Sequence, residues 1–315
     1  MENISFADKR ANVLKRNRRK REFVYSMKGL AMAILPFIGY LLFGLLPMAI
    51  SLVLSFFELH SYNLSMATFT GFDNYIKLFQ MELFYKSIAN TLLFCLSVPI
   101  NMVLSLFIAQ VMTKPLIGRP LYRVLLFIPS VCSTVAVSLA WSWVFEPNYG
   151  VINTFLVGIG LPKNPFMTDP RYFMPCVLVM TAWQGGTNIV LMQSALASVD
   201  VTYKEAAYID GASDMQVFFR IVFPLITPTL FYLLVTNLIG AMQNTGMMQI
   251  LAVNGVGPDH AALTLSYYIY RMGFVNTATE GMGLACALTW VMAIAVMLIT
   301  FFNFKFSKKW VNYED

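Results

Sequence analysis

The sequence contains little charge. Only 12% of its 315 residues are charged and 58% are hydrophobic, whereas an average soluble domain carries roughly 25% charged residues. This composition excludes an ordinary soluble globular protein. Six stretches contain no Lys, Arg, Asp or Glu, and each reaches the roughly 20 residues that a helix needs to cross a hydrocarbon core about 30 Å thick. The predicted membrane-spanning helices cover residues 30–57, 87–112, 124–145, 172–197, 223–250 and 281–304.

The apolar stretches indicate helices rather than a barrel. They are dominated by Phe, Leu, Ile, Met and Val and lack the two-residue alternation of a membrane β-barrel. An open sheet edge in lipid would also leave backbone groups unpaired. The sequence therefore predicts an all-α polytopic membrane protein. It has one six-helix domain over residues 30–304, a basic tail over 1–29 and a short tail over 305–315.

Basic residues are unevenly distributed among the predicted loops. Of the 22 Lys and Arg residues, 17 fall in the two tails and in the loops that follow the second and fourth spans. The remaining five lie in the other three loops. An excess of Lys and Arg marks the cytoplasmic side, so both termini are predicted to be cytoplasmic. The basic tail is interpreted as a contact with anionic lipid rather than with nucleic acid.

Several kinds of chemistry are missing. No Gly-Lys pair occurs, which excludes the phosphate-binding loop of a primary pump. The predicted spans contain no ionisable residue of the kind that couples an ion to a substrate. The two histidines, His60 and His260, fall in predicted external loops, and the four cysteines show no zinc-binding spacing. The chain is therefore predicted not to be an enzyme, to bind no metal or cofactor, and to obtain energy from a partner.

The loop after the fourth predicted span, residues 200–220, has the pattern of a helical elbow. Asp200 or Thr202 can cap a first helix, and Gly211 suits the left-handed position that ends it. Ser213 followed by Gln216 forms a capping-box pattern that begins a second helix. A rigid helix-turn-helix at the membrane surface is typical of a docking element.

This loop resembles the signature of the permease subunits of ABC importers, which is Glu-Ala-Ala, three residues, Gly, nine residues, Ile, one residue and Leu-Pro. Phe223 replaces the Leu, and the variant is similar to the carbohydrate-uptake branch that includes the maltose and glycerol-phosphate systems. Segments around Thr70–Tyr75 and Thr264–Tyr270 extend the resemblance over roughly residues 30–304. The matching residues, which the resemblance assigns to coupling with an ATPase, are Glu205, Ala206, Ala207, Asp210, Gly211, Ile221 and Pro224.

The resemblance implies the type I permease fold in a bacterial cytoplasmic membrane. The expected partners are a second, homologous permease in a heterodimer, two ATP-binding subunits and an extracytoplasmic solute-binding protein. ATP and Mg²⁺ would be used by the ATP-binding subunits, since this chain holds no cofactor of its own. The expected activity is ATP-driven import of a sugar or oligosaccharide.

Neutral hydrogen-bonding residues inside the spans are candidates for the substrate path. Amide groups and aromatic rings suit a neutral polyhydroxylated solute, and the absence of Lys and Arg from the spans favours a sugar over glycerol phosphate. The same amides could instead join helices through interhelical hydrogen bonds worth about 1 kcal/mol. The candidates are Trp183, Gln184, Asn188, Asn237, Gln243 and Asn244. A different class of function, a self-sufficient channel or secondary carrier for a small neutral solute, remains the alternative.

Overall fold

The computed structural model describes residues 25–312 except 26, 28, 31, 61 and 116, so the predicted basic tail 1–29 lies largely outside the described residues. The chain divides into two compact units, Met1–Leu54 and Ser55–Asp315. The described part of the first unit is helical and includes α1 (Met32–Leu54), which is apolar enough to cross a membrane. A helix pairs its polar backbone groups internally except at its two ends, as a lipid environment requires.

The second unit is helical apart from one short hairpin. Strands β1 (Phe57–Glu58) and β2 (Thr68–Phe69) pair antiparallel, with Phe57 opposite Phe69. Its helices are α2 (Asp73–Gln80), α3 (Glu82–Cys95), α4 (Ser97–Val111), α5 (Arg119–Val131), α6 (Thr134–Val144), α7 (Val151–Gly158), α8 (Pro170–Trp183), α9 (Gly186–Ser198), α10 (Val201–Ile209), α11 (Asp214–Val217), α12 (Phe223–Met242), α13 (Gly246–Leu251), α14 (Leu265–Tyr270) and α15 (Met282–Ser307).

Four stretches of the described residues are long and apolar enough to span a membrane. They are Met32–Leu54, Glu82–Val111, Asp214–Met242 and Met282–Ser307, and they match the first, second, fifth and sixth predicted spans. A fifth span results if α5 and α6 count as one, although the pair is bent by 100°. The predicted third span is therefore not a single straight helix.

Two further predicted spans differ from the observed helices. The fourth predicted span is two helices, α8 and α9, which are separated at Gln184 and Gly185. The fifth span ends at Met242 rather than at residue 250, and α13 follows as a separate helix. Between the two helices, the side-chain amide oxygen of Asn244 accepts a hydrogen bond from the Met247 N–H (3.3 Å), in the first turn of α13.

Two of the helices contain a π turn next to a proline. The turns Leu41–Leu45 and Phe218–Val222 precede Pro47 and Pro224, respectively, by two residues. A proline ring clashes with the carbonyl group four residues earlier and leaves it without a donor. A wider turn at that point relieves the clash, and the π turn in each case includes the carbonyl concerned.

The second unit has two hydrophobic cores with a polar layer between them. Along α12, one core includes residues up to Leu233 and the other begins at Ala241 and Met242, with Asn237 between them. Phe94 of α3 belongs to the second core and Met102 of α4 packs on the first, so the same division recurs there. In both places polar residues lie between the parts of the helices that belong to the two cores, so these polar residues form one layer between the cores.

Candidate functional site

A cavity of ≈ 460 Å³ lies in this polar layer. It is lined by α3–α6, α8, α9 and α12, or by the breaks between them. Its hydrogen-bonding residues are Ser97, Asn101, Ser130, Thr134, Thr181, Gln184, Thr187, Asn188, Thr236, Asn237 and Asn244. The other lining residues are Phe94, Val98, Cys132, Gly240 and Ala241. No Lys, Arg, Asp or Glu of the described chain lines the cavity, so it offers neutral donors and acceptors.

A chain of side-chain amides crosses the cavity wall. Asn237 Nδ2 donates to Asn188 Oδ1 (3.1 Å), and Asn188 Nδ2 donates to Asn101 Oδ1 (2.8 Å). Asn101 Nδ2 in turn donates to the carbonyl oxygen of Thr181 (3.0 Å). The chain links α12, α9, α4 and α8. Since linked amides polarise and orient one another, these bonds fix the orientation of the Asn101, Asn188 and Asn237 side chains, and all three residues line the cavity.

Two glycines let the broken span approach its neighbours. A Cβ atom at Gly185 would lie 2.8 Å from Ser105 Oγ, and one at Gly186 would lie 2.5 Å from the carbonyl oxygen of Leu126. The backbone of this break therefore packs directly against α4 and α5. This close packing fixes the position of Gln184 and Asn188 on either side of the break.

The structure brings four of the six predicted substrate-path residues together. Gln184, Asn188, Asn237 and Asn244 all line the cavity. Trp183 and Gln243 do not line it. The Trp183 ring instead contacts Trp141 edge to face, with the ring centroids 5.8 Å apart. The backbone carbonyl oxygen of Gln243 accepts a hydrogen bond from Ser266 Oγ (3.1 Å).

Asn101 was missed, although it is the residue that joins the amide chain to α8. It lies in the second predicted span, and an Asn in an apolar stretch is the same signal that identified Asn188 and Asn237. The hydroxyl groups around the cavity carry no such signal, because Ser and Thr are common in membrane helices and bond their own backbone. Thr181 is an example, since its Oγ1 donates to the carbonyl oxygen of Leu178 (2.9 Å).

The second element of the candidate site is the elbow formed by α10 and α11. Asp200 Oδ1 accepts hydrogen bonds from the Thr202 N–H (2.9 Å) and from the Thr202 hydroxyl group (2.8 Å), and so caps α10. These two bonds lower the pKa of Asp200. Gly211 has φ +83°, and the Ala212 N–H donates to the Ala207 carbonyl (3.0 Å), as in a Schellman motif.

Ser213 and Gln216 form the predicted capping box at the start of α11. The α11 helix then continues through the π turn into α12, because Asp214–Met242 is a single stretch. Tyr208 Oη of α10 and Asp214 Oδ1 of α11 are 3.1 Å apart, and this bond raises the pKa of Tyr208. The elbow is thus rigidly connected to one wall of the cavity.

The elbow exposes a surface that no described residue of the second unit covers. Glu205, Ala206 and Asp210 are exposed, and so is Gly211. Next to them, Ile209 is 86% exposed. The remaining residues of the predicted signature, Ala207, Ile221 and Pro224, are half-buried. Small residues, a carboxylate and exposed apolar side chains suit a protein interface.

At the other end of the bundle, α3 holds the segment that precedes α14. Lys86 Nζ lies 2.7 Å from Asp259 Oδ2, and this ion pair lowers the pKa of Asp259. Asn90 Nδ2 donates to the carbonyl oxygens of His260 (2.9 Å) and Leu263 (3.0 Å). Asp259 and His260 both have positive φ, so these contacts from α3 stabilise an unfavourable backbone conformation.

Comparisons with known proteins agree with this architecture. The chain is 35% identical over 286 residues to the probable ABC transporter permease protein YesP of Bacillus subtilis (strain 168), covering 89% of this chain and 90% of the relative. It is 34% identical over 247 residues to the sn-glycerol-3-phosphate transport system permease protein UgpA of Yersinia pestis, covering 78% and 82%.

A solved structure has the same fold. A chain of a bacterial alginate ABC transporter, crystallised in complex with its alginate pentasaccharide-bound periplasmic protein, superposes with a TM-score of 0.76 at 28% identity. The match covers 93% of this chain and 96% of that one. A family model matches residues 86–309, which include the cavity, the elbow and the segment before α14. The chain therefore belongs to the family of binding-protein-dependent transport system inner membrane components, the multi-pass permeases of ABC transporters.

Proposed function

We propose that this permease imports a neutral sugar or oligosaccharide. The observation that carries the proposal is the cavity, whose lining offers eleven neutral hydrogen-bonding side chains and no charge. Hydroxyl groups of a sugar can both donate to and accept from amides, whereas an anion would need a cationic partner to offset its desolvation. A volume of ≈ 460 Å³ suits a small sugar unit rather than a large polymer.

The proposed substrate is neutral, whereas the substrates named for the relatives are anionic. One relative is named for glycerol phosphate, and the structural neighbours import alginate, an acidic polysaccharide. The family relationship alone would allow an anion. The cavity of this chain favours a neutral solute because no Lys or Arg lines it.

We also propose the finer topology. If the broken pairs α5–α6 and α8–α9 each cross the membrane, the chain has six spans. An even number places both termini on one side, and the excess of basic residues supports the cytoplasm. Six spans would place the α10–α11 elbow in the cytoplasm and the Asp259–Leu263 segment outside.

The proposed role of the elbow is to couple the cavity to an ATP-binding partner. Its exposed face, with Glu205, Ala206 and Ile209, suits a groove on that partner, and Gly211 permits the bend. Because α11 runs into α12, a movement of the elbow would move Asn237 and the cavity wall as one body. The chain itself would then be non-catalytic and would hold no cofactor, with ATP and Mg²⁺ bound by two partner subunits. A second, homologous permease and a solute-binding protein complete the proposed complex.

Cysteine labelling can test the proposed substrate. Cys132 lines the cavity and is exposed, so in a variant that retains only this cysteine a small neutral thiol reagent reports access to the cavity. We expect a neutral oligosaccharide to slow labelling more than an oligouronate of equal length or glycerol phosphate does. A second variant, with the single cysteine at Leu121 (61% exposed, outside the cavity), should show no protection.

Greater protection of Cys132 by the oligouronate or by glycerol phosphate would contradict a neutral substrate. Equal slowing at both cysteine positions would indicate a general effect on the reagent, and the cavity would then not be the site.

A further inference from the structure

An apolar groove of ≈ 590 Å³ lies where α4 ends and α5 begins, and it shares no lining residue with the cavity or the elbow. Met112, 3% exposed, lies at its base, whereas Ile117 is 99% exposed. The groove is therefore open to the surroundings along one side. Its lining includes Phe107, Val111, Met112, Ile117, Tyr122 and Leu126.

Three cations flank the residues that line the groove. Lys114 precedes the lining residue Pro115, Arg119 follows Ile117 by two positions, and Arg123 follows Tyr122. No Asp or Glu occurs between Glu82 and Glu146. None of the three cations forms an ion pair within the described part of the chain.

One of these cations is fixed beside the base of the groove. Arg123 Nε donates to Gln193 Oε1 (3.1 Å), and Gln193 Nε2 lies 3.0 Å from Met112 Sδ. Gln193 is itself buried, at 5% exposure. The contact holds the exposed side chain of Arg123 close to the Gln193–Met112 contact at the base of the groove.

We propose that the groove binds an anionic phospholipid, with an acyl chain along the apolar lining and the headgroup phosphate among Lys114, Arg119 and Arg123. A phospholipid combines the two properties that the surface presents, since it is apolar along its length and anionic at one end. An apolar helix of another subunit would cover the lining but leave the three positive charges without partners. The proposal requires only that the chain lies in a membrane and is independent of what it transports.

Lipid bound here would stabilise the core that carries the elbow. Met112 belongs to the same hydrophobic core as Met192 of α9, Val217 of α11 and Ile226 of α12. The base of the groove is thus continuous with the packing beneath the elbow. We therefore expect bound lipid to raise the thermal stability of the protein.

The test is lipid retention by the purified full-length chain, measured by native mass spectrometry after titration with phosphatidylglycerol or with phosphatidylcholine of the same acyl chains. We expect preferential retention of phosphatidylglycerol. The double variant Lys114→Gln/Arg119→Gln should weaken it by about fivefold per cation removed, or about 25-fold in all. The control Lys308→Gln/Lys309→Gln removes the same charge from the other end of the sequence and should change retention less than twofold.

A second pair of variants tests the apolar part without changing charge. Val111→Trp fills the groove and should reduce retention of phosphatidylglycerol, whereas Val103→Trp, at an exposed position of α4 outside the groove, should not.

Equal retention of the two lipids, or an equal loss in the Lys308/Lys309 control, would overturn the proposal. So would a cysteine at Ile117 that crosslinks to the second permease in the assembled complex. Sugar uptake by the same complex is measured separately, so a failure of the proposed transport function would not be mistaken for a failure of lipid binding.

Discussion

At the scale of single residues, Asn188 connects the amide chain of the cavity. It donates to Asn101 and accepts from Asn237, so its removal leaves the half-buried Asn237 Nδ2 without this acceptor and Asn101 Oδ1 with the Ser105 hydroxyl group as its donor. We predict that Asn188→Ala lowers the free energy of unfolding by about 1–3 kcal/mol and raises the KM of sugar uptake. Thermal unfolding in detergent and uptake by the reconstituted complex measure the two effects.

The matched control for Asn188 is Ser194 on the same helix. Its hydroxyl bonds the Val190 carbonyl (3.1 Å) and is exposed, so Ser194→Ala should change neither quantity. If Asn188→Ala destabilises the protein without raising the KM, the amide chain joins helices and does not bind substrate.

Glu280 precedes α15, and its ionisation opposes folding. Its Oε2 atom is buried without a hydrogen-bond partner in the described chain. Burial raises the pKa of Glu280, and the Asn276 hydrogen bond and the Arg271 charge only partly oppose this effect. A carboxyl group with a raised pKa stabilises the fold at low pH, and that stability is lost as the pH rises through the folded pKa. We therefore predict that Glu280→Gln raises Tm at pH 8 and leaves it unchanged at pH 4.

Glu58 supplies a control of opposite sign, because it lines the same ≈ 350 Å³ cavity as Glu280, together with His60 and Lys77. Hydrogen bonds from His60 and Lys77 lower the pKa of Glu58. Its contribution is present above its ordinary pKa and lost as the pH falls, so Glu58→Gln should lower Tm at pH 8. A rise in both variants would show that loss of charge, rather than burial, sets the effect.

Individual residues were predictable where a polar side chain interrupts an apolar stretch. Asn188 and Asn237 gave that signal, and they meet in the structure. Trp183 was predicted from its position next to Gln184, but neighbouring residues on a helix point in different directions. Its ring packs on Trp141 and does not line the cavity. The contact of Asn188 and Asn237 with substrate remains a prediction.

At the scale of elements, the elbow depends on the left-handed conformation of Gly211. A side chain there meets no atom within 4 Å, so its cost is backbone strain of about 1–2 kcal/mol. We predict that Gly211→Val preserves assembly in the membrane but uncouples ATP hydrolysis from sugar uptake. The ratio of sugar imported to ATP hydrolysed in proteoliposomes measures this coupling.

Gly160 allows a control with the same strain. It has the same φ of +83° and no atom within 4 Å of a Cβ, but lies in the α7–α8 loop. Gly160→Val should therefore lose similar stability while it retains coupling. A similar loss of coupling in both variants would indicate general instability and would remove the specific role of the elbow.

The break between α8 and α9 depends on close packing at Gly186. A Cβ there would lie 2.5 Å from a backbone oxygen of α5, so Gly186→Ala should destabilise the protein by about 1–3 kcal/mol. Gly240, inside α12, has no atom within 4 Å, and Gly240→Ala should raise stability by about 0.5–1 kcal/mol. Thermal unfolding compares the two, and equal effects would contradict the packing argument.

Elements were predictable where capping chemistry is local. The structure confirms the Asp200 cap, the Gly211 turn and the Ser213–Gln216 box. Each of the three depends on residues that lie close together in sequence. Hydropathy could not locate the breaks at Cys132 and Gln184, since an apolar stretch has the same composition whether it is straight or bent. The break at Gln184 depends on the close packing of Gly185 and Gly186 against α4 and α5, which lie far from it in sequence.

At the scale of the whole molecule, the membrane location and the permease family follow from charge distribution and from one loop motif. Composition predicts six spans, whereas the described residues contain four long apolar helices and one bent pair that could count as a fifth span. The partners leave only indirect traces in this chain, namely an exposed elbow and the absence of an ATP-binding loop. The chain can therefore be assigned to a family from these two features of its sequence, the charge distribution and the loop motif.

The most direct test of the central claim is uptake of a labelled neutral oligosaccharide into proteoliposomes. One preparation contains this chain alone, and the other contains it with the second permease, the ATP-binding subunits and the solute-binding protein. We predict uptake only in the complete complex and only with ATP on the side of the ATP-binding subunits. Uptake by this chain alone, or by the complex without ATP, would instead show a self-sufficient channel or carrier.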